Sequence, residues 1–302
     1  HHVRLHSLNQ ALIGGVATLA GGTLEAANNG SIAVGTGGVI SGYGLVDGKI
    51  EGAAGSAILA NGGDLTLGRA VTGGFSHAGY LDTANRTVTL LNATRSTLGS
   101  QTKLGNNNLA GTLVVSNGAY LDFGRTIVGF GTIDSQNSVA KAMIINGDVI
   151  GNSPTEKLTF NGYVKGIGTF ENVIMNGTFA PGLSPAISSV DNLTLGNSAI
   201  LEMEIGGLTA GTQFDKLIDS GLLTLNGTLK LILIDSFNPQ VGQSFDLFDW
   251  NSLAGGFTNF DLSLAGLDSG LMWDTSALYS TGTLTVAAVP EPSSLLLVVI
   301  GS

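Results

Sequence analysis

The chain has 302 residues, 46 of them glycine and six proline, and 43% are hydrophobic, which excludes disorder by low hydrophobicity and leaves ample material for a core. A net charge of −10 and a pI near 4.6 argue against phosphate backbones and anionic membrane surfaces as partners. There is no cysteine, so disulfides and thiolate metal sites are excluded.

Charged residues make up only 11%, with Gly, Asn, Ser and Thr filling the polar positions, so strands are expected rather than surface helices. Nothing is assigned to His1, His2 and His6. The run Ala11 to Ala20 reads either as the end of a signal peptide or as the first strands of the fold; Gly14 and Gly15 favour strands. Asn29-Gly30 and Asn61-Gly62 supply tight corners, and DLTLG at Asp64 to Gly68 is echoed by NLTLG at Asn192 to Gly196. A second recurring element is GYGLVD at Gly42 to Asp47, GFGTID at Gly129 to Asp134 and GIGTFE at Gly166 to Glu171. No helix-periodic stretch follows any of these and the third glycine of a dinucleotide fingerprint is missing, so they read as crowded backbone corners. Tyr80-Leu81-Asp82 is echoed by Tyr120-Leu121-Asp122. Between the two, Thr83 to Asn108, with Arg86, Arg95 and Lys103, reads as a longer decorated coil.

The clearest pattern lies in Met143 to Ile187: MIINGDVIGNSPTEK, LTFNGYVKGIGTFEN and VIMNGTFAPGLSPAI, three consecutive fifteen-residue units. In each, two alternating apolar residues run into Asn-Gly, and an apolar residue follows three places after the Asn (Val149, Val164, Phe179). A strand and corner recurring with no helix between is what the coil of a β-solenoid needs. The spacing predicts that Asn146-Gly147, Asn161-Gly162 and Asn176-Gly177 form a structural corner ladder, with Asn146, Asn161 and Asn176 stacked in adjacent coils. After Asn197 the strands lengthen and Phe237, Phe245, Phe248, Trp250, Phe257, Phe260, Trp273 and Tyr279 appear, which reads as a terminal cap. Asn226-Gly227 permits either a hairpin or a further corner, and the corner fits the apolar faces better.

The last stretch is different in kind. Leu295 to Ile300 is an apolar run too short to span a bilayer, preceded by Pro290-Glu291-Pro292. Val289-Pro290-Glu291-Pro292-Ser293-Ser294 followed by leucines resembles the bacterial PEP-CTERM sorting signal. GTFAPGLSPA at Gly177 to Ala186, LEMEIGG at Leu201 to Gly207, GTQFDKL at Gly211 to Leu217 and LNGTLKLIL at Leu225 to Leu233 are similar to the repeats of exported PEP-CTERM and autotransporter-passenger-like proteins. The resemblance implies a β-helical protein outside a Gram-negative cell. It also implies transient inner-membrane anchoring, an exosortase-type sorting enzyme acting on the tail, and no shared enzymatic site.

A direct search for chemistry yields little. Glu202 and Glu204 lie two apart on one strand face, the geometry of paired carboxylates or of a cation site, but without further ligands or a basic partner. Asp215 with Lys216, and Asp246 with Asp249, read as turn and rim residues. Gly62-Gly63-Asp64 is only a fragment of a Ca²⁺-binding roll, and His77 is the sole internal histidine. No catalytic residue, cofactor or metal is assigned.

The expected architecture is all-β: a right-handed parallel β-solenoid over 1–198, of about ten to thirteen coils and roughly 50–60 Å, an aromatic-rich C-terminal β cap over 199–288 and a sorting tail over 289–302. The expected function is that of a non-enzymatic exported structural protein of the bacterial cell surface or extracellular matrix. A homo-polymer growing from the uncapped N-terminal end is expected, with exopolysaccharide as a second partner and nucleic acid excluded. The alternative is a polysaccharide-binding or polysaccharide-degrading β-helix protein. A row of exposed aromatics among acids and bases would favour that alternative, and a bland Ser/Thr/Asn face the structural reading.

Overall fold

A computed structural model describes residues 2–5 and 10–290. Nearly every strand pairs in parallel with the strand one coil before and one coil after it. The coil has three faces, exemplified by Ala119–Leu121, Thr126–Gly129 and Gly131–Ser135, after which the chain returns to the first face at Met143–Ile145. We call these faces the base, the first flank and the second flank. The base is a sheet of twelve strands, from Gln10–Ile13 to Asn259–Leu264. The two flanks merge into one 18-stranded sheet, because long strands such as Val16–Ala26, Ala57–Leu67 and Lys216–Leu225 run across both. Twelve rungs at about 4.8 Å give a rod of about 50–55 Å. The chain is a parallel β-solenoid.

Strict alternation of burial places every second side chain inside, as in Ile200–Ile205. On the base Met143, Val164, Phe179, Leu201, Leu229 and Phe260 stack in six consecutive rungs, all but the terminal Phe260 fully buried. Phe160, Phe170 and Phe179, one from each face, meet edge-on in the interior at centroid distances of 6.4 and 5.3 Å. Outside, the second flank carries Thr87, Thr112, Thr132, Thr159, Ile174, Thr194 and Thr224 in seven consecutive rungs, each half-buried by its neighbours. β-Branched side chains fit the pleat and stack on one another, so this column stabilises the sheet from outside.

The coil is not fifteen residues long. Leu158 does pair with Val173, fifteen residues on, but Leu24 pairs with Val46, Val88 with Leu113 and Leu217 with Phe248. Loops at the corners absorb the difference. The fifteen-residue units of the sequence therefore fall out of phase with the coils. Asn146-Gly147 turns from base to first flank, between Met143–Ile145 and Asp148–Gly151, whereas Asn161-Gly162 and Asn176-Gly177 turn from second flank to base. Asn176 Nδ2 donates to Asn161 Oδ1 at 3.3 Å. Asn146 is not in that stack; its side-chain oxygen accepts from the Ile167 N–H at 3.4 Å. The three-membered ladder is thus corrected to a pair, because Asn-Gly encodes a tight corner but not which of the three corners it makes.

The paired glycines show the same behaviour. Gly42 and Gly44, and Gly129 and Gly131, turn from first to second flank, while Gly166 ends a base strand. Gly129 has φ +120°, and a Cβ there would sit 1.9 Å from the Leu104 carbonyl oxygen, so the backbones touch where any side chain would stand. These are crowded corners, as the motif suggests.

Parallel stacking runs through the boundary expected at 198/199. Ile200–Ile205 pairs with Thr228–Leu233, which pairs with Asn259–Leu264, and Lys216–Leu225 pairs with Phe248–Gly255. Asn226-Gly227 is accordingly a corner, with Lys230 opposite Glu202 and Asp261. The cap is smaller than 199–288: an antiparallel sheet of Ser244–Asp246, Thr283–Ala288 and Leu271–Asp274, fed by excursions from the last coils. Its Phe245, Trp273, Leu284 and Val286 are buried, and Trp273 Nε1 donates to the Ala265 carbonyl at 2.9 Å. Larger side chains mark the end of the core rather than a change of fold.

Candidate functional site

The outward side of the base around Ile200–Ile205 gathers the acidic pair singled out from the sequence. Leu201, Met203 and Ile205 point into the core, and this forces Glu202 and Glu204 outward onto one surface. Both acquire basic neighbours that the sequence does not reveal, because those residues arrive from other rungs. Lys230 Nζ lies 2.9 Å from Glu202 Oε1, and Tyr163 donates its hydroxyl to Glu202 Oε2. Burial, aided by the adjacent Glu202 carboxylate, holds the Tyr163 phenol well above its ordinary range. Burial likewise raises the Glu204 carboxyl; Lys165 opposes the rise, and Glu202 and Asp235 add to it.

Asp215 is no rim residue. It is buried, its Oδ1 accepts the Ala186 N–H at 2.9 Å and its Oδ2 the Glu204 N–H at 2.8 Å. Burial pushes its carboxyl up to about 7, against the pull of those two backbone donors. An acid that titrates near neutrality can serve proton transfer. Here both oxygens are occupied by backbone, and they pin the Gly206–Phe214 excursion to the base. The cleft between Tyr163, Lys165, Ser184, Glu202, Glu204 and Asp215 measures about 30 Å³, room for a water or two and too little for a sugar ring. Glu202 is thus held by Tyr163 and Lys230, and Asp215 by the backbone of Ala186 and Glu204. Asp246 and Asp249 do lie at the rim, half-exposed, and both accept from Lys216, at 2.5 and 2.7 Å, clasping the cap to the first flank.

Comparison with known proteins adds no identity. No family model matches the chain, and no curated protein matches it. Among solved structures, the crystal structure of a TibC-catalyzed hyper-glycosylated TibA fragment is 13% identical with a TM-score of 0.29, over 84% of this chain and 97% of that one.

His77 lies inside the solenoid, fully buried, with Nε2 3.0 Å from Ser56 Oγ and its ring against Phe75. Ser56 donates its hydroxyl to the Ala53 carbonyl at 2.6 Å, and His77 Nδ1 has no partner among the described residues, so within them the Ser–His pair has neither an available nucleophile nor an orienting acid. Gly52 makes room for it: a Cβ there would stand 1.9 Å from His77 Cδ2. Among the described residues no group of three or more His, Cys, Asp or Glu could hold a metal ion. Pro290 is exposed beyond the last cap strand; Glu291 and Pro292 lie outside the described residues.

Three features escaped sequence reasoning. Asn172 and Asn192, both at positive φ, turn from first to second flank; Asn192 Nδ2 donates to Asn172 Oδ1 at 3.2 Å, and Asp219 below accepts the backbone N–H groups of Asn192, Leu193 and Gly221. The signal was present, since Phe170-Glu171-Asn172-Val173 is echoed by Val190-Asp191-Asn192-Leu193. Arg95 ties three rungs together by donating to Tyr120 Oη and to the Ala140 and Ala142 carbonyls. A cleft formed by Asn106, Asn107 and Asn108 beside Phe130 had no sequence signature beyond the asparagines themselves.

Proposed function

We propose that this chain is a non-enzymatic exported structural protein of the bacterial cell surface or extracellular matrix, a rod delivered through a PEP-CTERM-type C-terminal segment. The observation that supports this most is the outer face. Six threonines and one isoleucine occupy seven successive rungs of the second flank, a bland stacked surface of the kind expected of a stalk. The place where the cap ends supports the sorting reading. The last cap strand stops at Ala288, and Val289 and Pro290 follow on the exposed surface, where a processing enzyme could reach them.

The test is sorting in a host that carries an exosortase-type enzyme. The chain should reach the cell surface, and replacement of Pro290, Glu291 and Pro292 by alanine should hold it at the inner membrane. Equal secretion of both forms would sink the sorting role. Self-association is proposed through Gln10–Ile13, which among the described residues has one neighbour in the base, with Leu12 and Val16 exposed beside it. Ile13→Lys or Val16→Pro should abolish filaments, and filaments indifferent to both would place the contact elsewhere.

A further inference from the structure

Where the first flank turns into the second, Gly105, Phe130 and Asn152 follow one another in three successive rungs. The chain leaves the first flank at Leu104 and makes a small excursion before entering the second at Gly111. In that excursion Asn106 and Leu109 exchange both backbone hydrogen bonds at 2.9 Å, and Asn107 and Asn108 carry φ of +49° and +62°. That is the two-residue turn of type I′, for which asparagine is among the preferred residues. Its backbone is closed on itself. Gly105 seats it against Phe130: a Cβ at Gly105 would lie 2.4 Å from the Phe130 carbonyl oxygen.

The turn overhangs a cleft of about 230 Å³, lined by Lys103, Asn106, Asn107, Asn108, Phe130 and Asn152 among others. The side chains of Asn106, Asn107 and Asn108 are exposed and make no hydrogen bond within the described residues. Asn152 spends its Nδ2 on Glu156 at 3.2 Å and keeps its Oδ1, and Lys103 lies 3.8 Å from Asp82. We propose that this cleft binds one neutral sugar unit of a polysaccharide. Each side-chain amide offers a donor and an acceptor, the combination that a pair of neighbouring hydroxyls requires, and the half-buried Phe130 supplies an apolar wall for a ring face. Asp82 beside the lone cation and a net charge of −10 disfavour an acidic sugar. The volume is below the range of about 300–1,000 Å³ that takes larger ligands, so a single ring is held and the rest of the polymer lies along the rod. The turn fixes the backbone that carries three of the amides, so binding orders their side chains alone and not the loop. This site is independent of how the chain is sorted, so either reading can fail alone.

The test is titration of the ¹⁵N-labelled protein with neutral tetrasaccharides of β-glucan, galactan and chitin, and with tetragalacturonate. At least one neutral tetrasaccharide should shift the side-chain amide resonances of Asn106, Asn107, Asn108 and Asn152, saturating with a Kd of about 1 mM. The double variant Asn107→Gly, Asn108→Gly keeps the positive φ angles and removes two amides, and should weaken binding at least about tenfold. Asn152→Ala, outside the turn, should weaken it as well, while Asn146→Ala leaves it unchanged. Absence of shifts with every neutral probe, binding of tetragalacturonate alone, or equal affinity in both cleft variants would overturn the proposal.

Discussion

At the scale of single residues, the fold is decided by where backbones touch. Gly129 stands at φ +120° with the Leu104 carbonyl where its Cβ would be, so Gly129→Ala should cost about 3 kcal/mol or prevent folding, whereas Gly266→Ala, with open space around it, should change the urea midpoint little. The paired glycines were legible because only a crowded corner asks for two of them around a single residue. His77 was not, since a lone histidine in an alternating strand says nothing about which face it takes. Burial lowers its pKa from 6.5 to about 4. Protonation is therefore disfavoured in the folded chain and free in the unfolded one. The stabilisation that His77 contributes is full above pH 6.5 and falls by about 3 kcal/mol as pH drops from 6.5 to about 4, while Asp215, with its carboxyl raised to about 7, shifts stability the other way over the same range. Between pH 7 and pH 4.5, chemical unfolding should show the parent chain faring worse than His77→Leu by about 2–3 kcal/mol, since the Asp215 contribution is common to both; the same change in both chains would mean that His77 charges without penalty.

Among elements, the strands and their turns were readable and their phase was not. Alternating apolar pairs before Asn-Gly identify Met143–Ile145, Leu158–Phe160 and Val173–Met175 as strands ending in corners, yet the first lies on the base and the other two on the second flank. Corner loops vary in length without changing the stack, and a local dipeptide carries no record of which corner it serves. The consequence is measurable. Asn176→Asp removes the amide that donates to Asn161 Oδ1 and should cost about 1 kcal/mol, while Asn146→Asp keeps the acceptor used by the Ile167 N–H and should be nearly neutral. Comparable urea midpoints for the two variants would count against the two-membered stack. The acidic patch follows the same logic: Glu202 and Glu204 were visible as a pair, but Tyr163 and Lys230, which bond the Glu202 carboxylate, and Asp215, which accepts the Glu204 N–H, meet them through a register the sequence does not encode.

For the whole molecule, the number of coils came out within the expected range because two errors offset each other. Coils are longer than fifteen residues, and the stack continues past residue 198 to Leu264, giving twelve rungs on the base. The aromatic-rich stretch reads as a separate cap because its side chains are large, but its strands Ile200–Ile205, Lys216–Leu225, Thr228–Leu233, Phe248–Gly255 and Asn259–Leu264 continue the parallel stack, and only the antiparallel sheet closes the end. Among the described residues the last hydrogen bond of the cap is from the Val289 N–H to the Gly270 carbonyl at 2.8 Å, and deleting residues 290–302 should shift the melting temperature by no more than about 1 °C. The central claim is that residues far apart in sequence, at unequal intervals, are neighbours in one parallel stack. Because the chain has no cysteine, paired cysteines report on it directly. Thr132 and Thr159 are register partners in adjacent second-flank strands, at the neighbour spacing that a disulfide spans, whereas Asn146 and Asn161 lie on different corners. Mild oxidation should close an intramolecular disulfide in the Thr132→Cys, Thr159→Cys variant and leave Asn146→Cys, Asn161→Cys reduced; closure of the second pair and not the first would contradict the stack described here.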